Sequence, residues 1–211
     1  MSPTLIVIAK EPIPGRVKTR LTPPCTPEQA AELARAALMD TLAAATRAKL
    51  ARRLVVALDG NPGPWLPNGF EVLPQRGDGL AERLAAAFDD VGEPAFLVGM
   101  DTPQITPQLL DAGLATVAWS GSAFGPALDG GYWGIGLRSP DAGVFDGVPM
   151  STNWTGAAQR ARMVERDLDP AILPPLRDVD TYDVALEVAA EAPHTRFAAA
   201  LAEITADRLA A

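Results

Sequence analysis

The 211-residue sequence has very few of the side chains on which many hydrolases and metal sites depend. It contains one cysteine, Cys25, and one histidine, His194. A single cysteine excludes an internal disulfide. A single histidine excludes a zinc site built on several histidines, and it excludes a serine–histidine triad unless the base is unusual. Several classes of hydrolase and metalloprotease are therefore excluded.

Long apolar runs are also missing from the sequence. No stretch approaches the ~18 apolar residues that a membrane-spanning helix needs. The start of the sequence lacks the basic segment, apolar stretch and small-residue cleavage site of a secretory signal. We therefore expect a cytoplasmic protein that does not bind membranes.

Positive charge is scarce: 18 lysine and arginine residues stand against 26 acidic residues, which gives a formal net charge of −8. A surface that binds nucleic acid needs a broad basic face to neutralise the phosphate backbone. We therefore expect no nucleic-acid partner, and instead a small anion held in one basic pocket. The sequence allows a homodimer but does not determine the oligomeric state.

The stretch 6–21 departs from this acidic composition. An apolar run that predicts a buried strand leads into a loop rich in proline and glycine, which we call the basic loop (residues 10–20). Against one acid, it carries four cations: Lys10, Arg16, Lys18 and Arg20. Ligands of parallel α/β sheets bind beyond the carboxyl ends of the strands, where Gly15 would let backbone N–H groups approach phosphate oxygens. We predict a polyphosphate site; the alternative is a solvated loop whose cations neutralise nearby acids.

Strand patterns alternate with helix patterns along the whole sequence. Strands are predicted over 4–9, 53–58, 70–73, 95–99, 122–128, 132–137 and 176–179. Helices are predicted over 26–50, 80–90 and 106–118, from Ser151 or Thr152 to about 166, and from about 182 and 195 onward. This alternation predicts βαβ units with right-handed crossovers. We expect one domain over residues 1–211, a three-layer α/β/α sandwich with a mostly parallel sheet.

Two acids at the ends of predicted strands are candidates for a metal site. Asp101 follows the apolar run 95–99, and Asp180 follows the run 176–179. Mg²⁺ typically binds one or two protein carboxylates and takes its other ligands from water and phosphate. We expect only one of Asp178 and Asp180 to face the cleft, and we assign the metal to Asp180, the last residue before the next helix. The alternative for both acids is a turn or a helix N-cap.

A further candidate is the segment Asp129–Trp133, which reads Asp-Gly-Gly-Tyr-Trp. Its two glycines permit a tight turn or a close approach of the backbone to a ligand. Its aromatic side chains could stack on a sugar or a base. The alternative, which this segment taken alone favours, is a hairpin whose aromatic residues pack into the core.

Five stretches of the sequence, in order, resemble those of one bacterial family. They are Ala9–Leu21, Gly99–Pro103, Asp129–Trp133, Met150–Thr152 and Asp178–Thr181. The family consists of glycosyltransferase-A-fold proteins related to 2-phospho-lactate guanylyltransferase and molybdenum-cofactor guanylyltransferase, some of them linked to arsenosugar biosynthesis. The resemblance covers about the first 190 residues. The sequence departs from the family pattern at Met100 and Met150, where a small hydroxyl residue and a tryptophan are more usual.

The resemblance implies a Rossmann-like nucleotide-diphospho-sugar transferase fold. It implies binding of a nucleoside triphosphate or a nucleotide-sugar with Mg²⁺, or alternatively Mn²⁺, and it implies that Asp101 and Asp180 bind the metal. We assign nucleotide and phosphate binding to Ala9, Lys10, Gly15, Arg16, Lys18, Arg20 and Gln75. We assign the acceptor or sugar site to Asp129, Gly130, Gly131, Tyr132, Ser151 and Thr152.

Nucleotidyl transfer is the first functional hypothesis. A nucleoside monophosphate, with GMP preferred, would move from the triphosphate to a small anionic, phosphorylated acceptor, and pyrophosphate would leave. Lys18, Arg16 and Asp101 are the predicted catalytic residues. Positioning and cations at the developing charge would supply most of the rate enhancement, and a phosphate nucleophile needs no general base.

Two other hypotheses remain open. The first is glycosyl transfer from a nucleotide-sugar, in which an inverting enzyme needs a carboxylate base at the acceptor, and Asp129 is the candidate. The second is an inactive homologue that binds nucleotides.

Overall fold

A seven-stranded sheet forms the centre of the computed structural model, which describes residues 2–210, with side chains for 2–208. The first and last residues of the predicted domain, 1 and 211, lie outside the described residues. The strands are β1 Thr4–Lys10, β2 Leu54–Asp59, β3 Phe70–Pro74, β4 Ala95–Gly99, β5 Ser122–Pro126, β6 Tyr132–Leu137 and β7 Ala171–Ile172. Their spatial order is β3-β2-β1-β4-β6-β5-β7, so that β4 is central, as its uninterrupted apolar sequence favours.

Six α-helices, counted within residues 2–210, pack around this sheet. They are α1 Pro27–Arg47, α2 Leu80–Val91, α3 Pro107–Ser120, α4 Thr155–Glu165, α5 Tyr182–Glu191 and α6 Arg196–Ala210. The predicted start of α1 is confirmed by a capping box, in which the Gln29 amide donates to Thr26 Oγ1 over 3.2 Å and the Thr26 amide donates to Gln29 Oε1 over 2.9 Å. No helix within residues 2–210 combines the length and the apolar composition that crossing a bilayer requires.

The sheet is mostly parallel, with one reversed strand. β1 pairs in parallel with β2 and β4, β2 with β3, and β5 with β7, whereas β6 runs antiparallel to β4 and β5. Because β6 is reversed, its first residues lie beside the end of β4, and Gly134 pairs with Val98. The turn that precedes β6 therefore reaches the edge of the sheet at which β1 and β4 end.

Apolar layers cover both faces of the sheet. Side chains alternate along β1, so that Val7 packs in the layer of α1 and α3 while Ile6 packs in the layer of α2 and α4. A third cluster, with Phe197 fully buried, joins α1 to α5 and α6. This arrangement matches the predicted three-layer α/β/α sandwich.

The sequence predictions for two elements near the end of the chain were wrong. α4 begins at Thr155 instead of Ser151 or Thr152, because Ser151 has a positive φ of 61° and the Thr152 amide donates to Thr155 Oγ1 over 3.0 Å. The strand predicted over 176–179 does not form, and only Leu176 makes a bridge to Ala127. Two prolines directly before this segment lack the amide hydrogens that a ladder needs, and β7 lies earlier instead.

Candidate active site

A cleft of about 1040 Å³ lies where β1 and β4 end. It is lined by the basic loop, by the residues that follow β3 and β4, by the turn before β6, and by the segments 150–155 and 177–181. Of the residues assigned from the sequence, those that line the cleft are Ala9, Lys10, Arg16, Lys18, Arg20, Gln75, Asp101, Asp129, Gly131, Tyr132, Ser151, Thr152 and Asp180. Gly15 and Gly130 do not line it. Segments far apart in sequence thus converge on one site.

The basic loop presents its cations in two ways. Lys10 and Arg16 are exposed, and within the described part of the chain neither forms an ion pair. Arg20 instead binds Asp180 Oδ2 at 2.7 Å. Gly15 turns the loop with a φ of 75°. Two cations are therefore free to meet an incoming anion.

Lys18 turns inward, towards the acids. Its side chain is only 8% exposed, and its Nζ lies 2.8 Å from Asp101 Oδ1 and 3.6 Å from Asp180 Oδ1. The same ammonium donates a hydrogen bond to the carbonyl oxygen of Val179. The two acids that the sequence assigned to a metal thus share one lysine in this structure.

Gln75 joins the ends of two parallel strands. Its side-chain amide donates to the carbonyl oxygens of Ala9, over 2.8 Å, and Ala57, over 2.9 Å. Its backbone amide donates to Leu58 over 2.9 Å. These bonds fix the position of Gln75 beside the basic loop, at the wall of the cleft.

Asp178 lies in the cleft with Asp180, contrary to the expectation that only one of the two faces it. Carboxylate oxygens of Asp129, Asp178 and Asp180 lie within 4.8 Å of one another. That expectation was wrong because side chains two positions apart face the same side of a strand, so the spacing of Asp178 and Asp180 does not separate them. Residues 176–179 moreover do not form a strand, and the pair Pro174-Pro175 was the signal in the sequence that could have indicated this.

The surroundings of the Asp178 carboxyl group favour its protonated form. Burial, followed by repulsion from Asp129 and Asp180, raises the pKa of Asp178 to about 6, although Lys18 and a backbone hydrogen bond oppose this rise. Among the described residues, Asp178 Oδ1 is buried and has no hydrogen-bond partner. The ionised form is therefore disfavoured in the folded protein when no cation is bound.

We expect Asp178→Asn to stabilise the metal-free protein at pH 8. A raised carboxyl pKa means that the folded state binds the proton more tightly than the unfolded state, so that the free energy of unfolding falls as the pH rises from about 4 to about 6. The variant escapes this loss. The gain is about 1 kcal/mol, since solvent reaches part of the side chain.

Denaturant unfolding in EDTA at pH 4 and pH 8 measures this gain. The variant and the wild type should differ less at pH 4 than at pH 8. A variant that is less stable by the same amount at both values would instead indicate lost packing.

The aromatic residues after the turn serve mainly as packing. Trp133 is 3% exposed, and its indole Nε1 donates to the Pro174 carbonyl over 3.1 Å. The Tyr132 hydroxyl donates to Gln159 Oε1 over 3.2 Å, and burial raises the pKa of Tyr132. Their rings therefore pack into the core, as in the hairpin alternative for this segment, although both residues still line the cleft.

The turn before β6 is held against the start of α4. Asp129 Oδ1 accepts a hydrogen bond from the Gly131 amide over 2.7 Å, and the exposed Asp129 side chain lines the cleft. The Gly156 amide donates to the Gly130 carbonyl over 2.8 Å. The close backbone approach at Gly130, predicted for a ligand, is instead to Asn153.

A family model described as "Uncharacterized protein conserved in bacteria (DUF2064)" matches residues 29–152 of the chain. No curated protein sequence matches the chain. Among solved structures, the chain is similar to a protein from Desulfovibrio desulfuricans G20 that is provisionally described as a nucleotide-diphospho-sugar transferase. The identity is 29%, the TM-score is 0.85, and the match covers 98% of this chain and 96% of that chain.

Two nucleotidyltransferases share the fold at lower identity. CMP:2-keto-3-deoxy-manno-octonic acid synthetase, solved with CTP, has 13% identity and a TM-score of 0.56 over 90% of this chain and 98% of that chain. The 2-C-methyl-D-erythritol 4-phosphate cytidylyltransferase of Thermus thermophilus has 16% identity and a TM-score of 0.55 over 92% of this chain and 100% of that chain. The predicted Rossmann-like fold of nucleotide-diphospho-sugar transferases is thereby confirmed. The relation to guanylyltransferases stays a prediction.

Proposed function

The chain belongs to the bacterial family DUF2064, and from the cleft of this member we propose that it is a Mg²⁺-dependent nucleotidyltransferase. It would transfer a nucleoside monophosphate, GMP by preference, from a triphosphate to a small phosphorylated acceptor. We propose that residues 1–211 act as one domain, since strands from β1 to β7 share one sheet. The fold similarity to two nucleotidyltransferases agrees with this proposal.

One observation carries the proposal: a basic loop and two acids from distant segments line the same cleft. Lys10 and Arg16 are exposed and without ion pairs in the described chain, so they can bind phosphate oxygens without first breaking an ion pair. Asp101 and Asp180 both lie close to the Lys18 ammonium. Cations for a polyphosphate and carboxylates for a metal are both required by this reaction.

The donor atoms around Lys18 fit a hard divalent cation. Two carboxylates and the Val179 carbonyl already surround one positive charge, and oxygen ligands of these kinds are those that Mg²⁺ prefers. Asp101 and Asp180 would hold the ion. When bound, Mg²⁺ supplies positive charge to the phosphates and so favours the departure of pyrophosphate.

The protein's own residues would bind and orient the reactants. Lys10 would contact the α-phosphate, while Arg16 and Lys18 would contact the β- and γ-phosphates and the departing pyrophosphate. An acceptor phosphate oxygen attacks the α-phosphorus, a new P–O bond forms, and the bond to the bridging β-phosphate oxygen breaks. The anionic nucleophile needs no proton acceptor, so positioning and charge carry the catalysis.

Glycosyl transfer from a nucleotide-sugar is the second candidate, and the three acids favour it. Asp129 and Asp178 lie close together on the acceptor side of the cleft, where a carboxylate could remove a proton from an attacking hydroxyl. The provisional description of the Desulfovibrio protein agrees with this candidate. The donor that binds therefore decides between the two functions.

A thermal-unfolding panel of nucleoside triphosphates and nucleotide-sugars, each with and without Mg²⁺, tests the proposal. A triphosphate at 100 times its Kd should stabilise the protein by about 2.7 kcal/mol, with Mg²⁺ required. Arg16→Ala should need at least about tenfold more nucleotide for the same effect, because it removes a charge-assisted contact.

Arg160→Ala is the matched control for Arg16→Ala. Arg160 is exposed on α4, and the described residues offer it no hydrogen bond or ion pair. This variant should respond to nucleotide like the wild type. Stabilisation by nucleotide-sugars alone would favour the glycosyltransferase, and no stabilisation by any compound would favour the inactive homologue.

A further inference from the structure

The Lys18 ammonium lies where a divalent cation bound by Asp101 and Asp180 would lie. It is 2.8 Å from one carboxylate and 3.6 Å from the other, and it donates to the Val179 carbonyl. Like charges repel strongly in a partly buried site. The ammonium and a metal ion therefore compete for the same oxygens.

The backbone holds Lys18 in this position. Lys18 has a φ of 48° and a ψ of 37°, a left-handed conformation that costs a residue with a side chain about 1 kcal/mol. The Val179 amide donates to the Asp101 carbonyl over 2.9 Å and so fixes the distance between the two acidic segments. A side chain that is 8% exposed and ion-paired is a built feature of the site.

We propose that Lys18 is an internal cation that occupies the Asp101–Asp180 site until nucleotide arrives. The phosphates then offer the ammonium other oxygens, and the carboxylates become free for the metal. This inference rests on the proposed function in one respect, since it takes Asp101 and Asp180 to be metal ligands. It adds an order of binding: the free metal ion binds weakly, and the ion enters together with the nucleotide.

Mn²⁺ binding without nucleotide, measured by electron paramagnetic resonance, tests the competition directly. Lys18→Met and Lys18→Gln remove the charge and should each bind Mn²⁺ at least tenfold more tightly than the wild type. Lys18→Arg keeps the charge and should bind as weakly as the wild type. Addition of Asp101→Asn to Lys18→Met should abolish the gain, whereas Lys49→Met, at an exposed lysine, should change nothing.

The wild-type protein offers a second test that needs no variant. Its lysines are Lys10, Lys18 and Lys49. With EDTA, Lys18 should react with acetic anhydride much more slowly than Lys49, because its ammonium is buried and paired. Mn²⁺ at millimolar concentration should displace the ammonium and raise the ratio of Lys18 to Lys49 acetylation several-fold, as read by mass spectrometry.

Two results would overturn the inference: equal Mn²⁺ affinity in Lys18→Met and the wild type, or an acetylation ratio that saturating Mn²⁺ leaves unchanged. Neither result would affect nucleotide binding at the basic loop, which the thermal panel measures separately. Conversely, the absence of nucleotide stabilisation in that panel would overturn the proposed function while leaving the Mn²⁺ competition at Lys18 measurable.

Discussion

In Asp101→Asn, pyrophosphate release from the triphosphate is expected to fall at least about a hundredfold in kcat/KM. The substitution preserves shape but removes one of the two carboxylates that face Lys18. A metal ion contributes several kcal/mol to the stabilisation of negative charge in the transition state, and each 1.36 kcal/mol corresponds to about a factor of ten. The measurement is pyrophosphate release with phosphorylated sugars and acids as acceptors, at several Mg²⁺ concentrations.

Asp146→Asn is a suitable control for Asp101→Asn. Asp146 is exposed and does not line the cleft, so this variant loses the same charge without touching the site. It should retain wild-type turnover. Full activity of Asp101→Asn at low Mg²⁺ would contradict the assignment of Asp101 as a metal ligand.

Gly130→Ala should lower the free energy of unfolding by about 2–4 kcal/mol. Gly130 has a φ of 92°, which disfavours any side chain, and a Cβ atom at this position would overlap the carbonyl oxygen of Asn153. The hydrogen bond from Gly156 to the Gly130 carbonyl leaves the turn little freedom to move away. For a chain of this length the change corresponds to a fall in Tm of roughly 5–15 °C.

Gly69→Ala separates the two causes of this effect. Gly69 has a φ of 97°, but nothing lies within 4 Å of a Cβ atom placed there. It should lose only about 1 kcal/mol, the cost of the backbone conformation. Equal losses in the two variants, by denaturant unfolding, would contradict the proposed overlap with Asn153.

The elements that were predicted correctly from the sequence are those specified by neighbouring residues. The capping box of Thr26 and Gln29 fixes the start of α1, and the short apolar run of β4 begins directly after Pro94. The basic loop was found in the same way, because its cations are local in sequence. Most of the assigned residues consequently line one cleft.

The missed features depend on contacts between distant segments. The inward turn of Lys18 requires Asp101 and Val179, and no local pattern predicts a left-handed lysine. Asp178 was missed for a different reason: side chains two positions apart in an extended segment face the same side, so its spacing from Asp180 is compatible with both acids lining the cleft. Spacing alone could identify the acids but could not determine which cation they face.

The distance along the chain between Lys18 and Val179 also has a consequence during protein synthesis. The two residues are 161 positions apart. At 5–20 residues per second, a ribosome takes roughly 8–30 s to make the segment between them. The nascent chain therefore carries the basic loop for that time without Asp180, the acid that pairs with Lys18 and Arg20, and the complete site forms only after its last segment has left the ribosome.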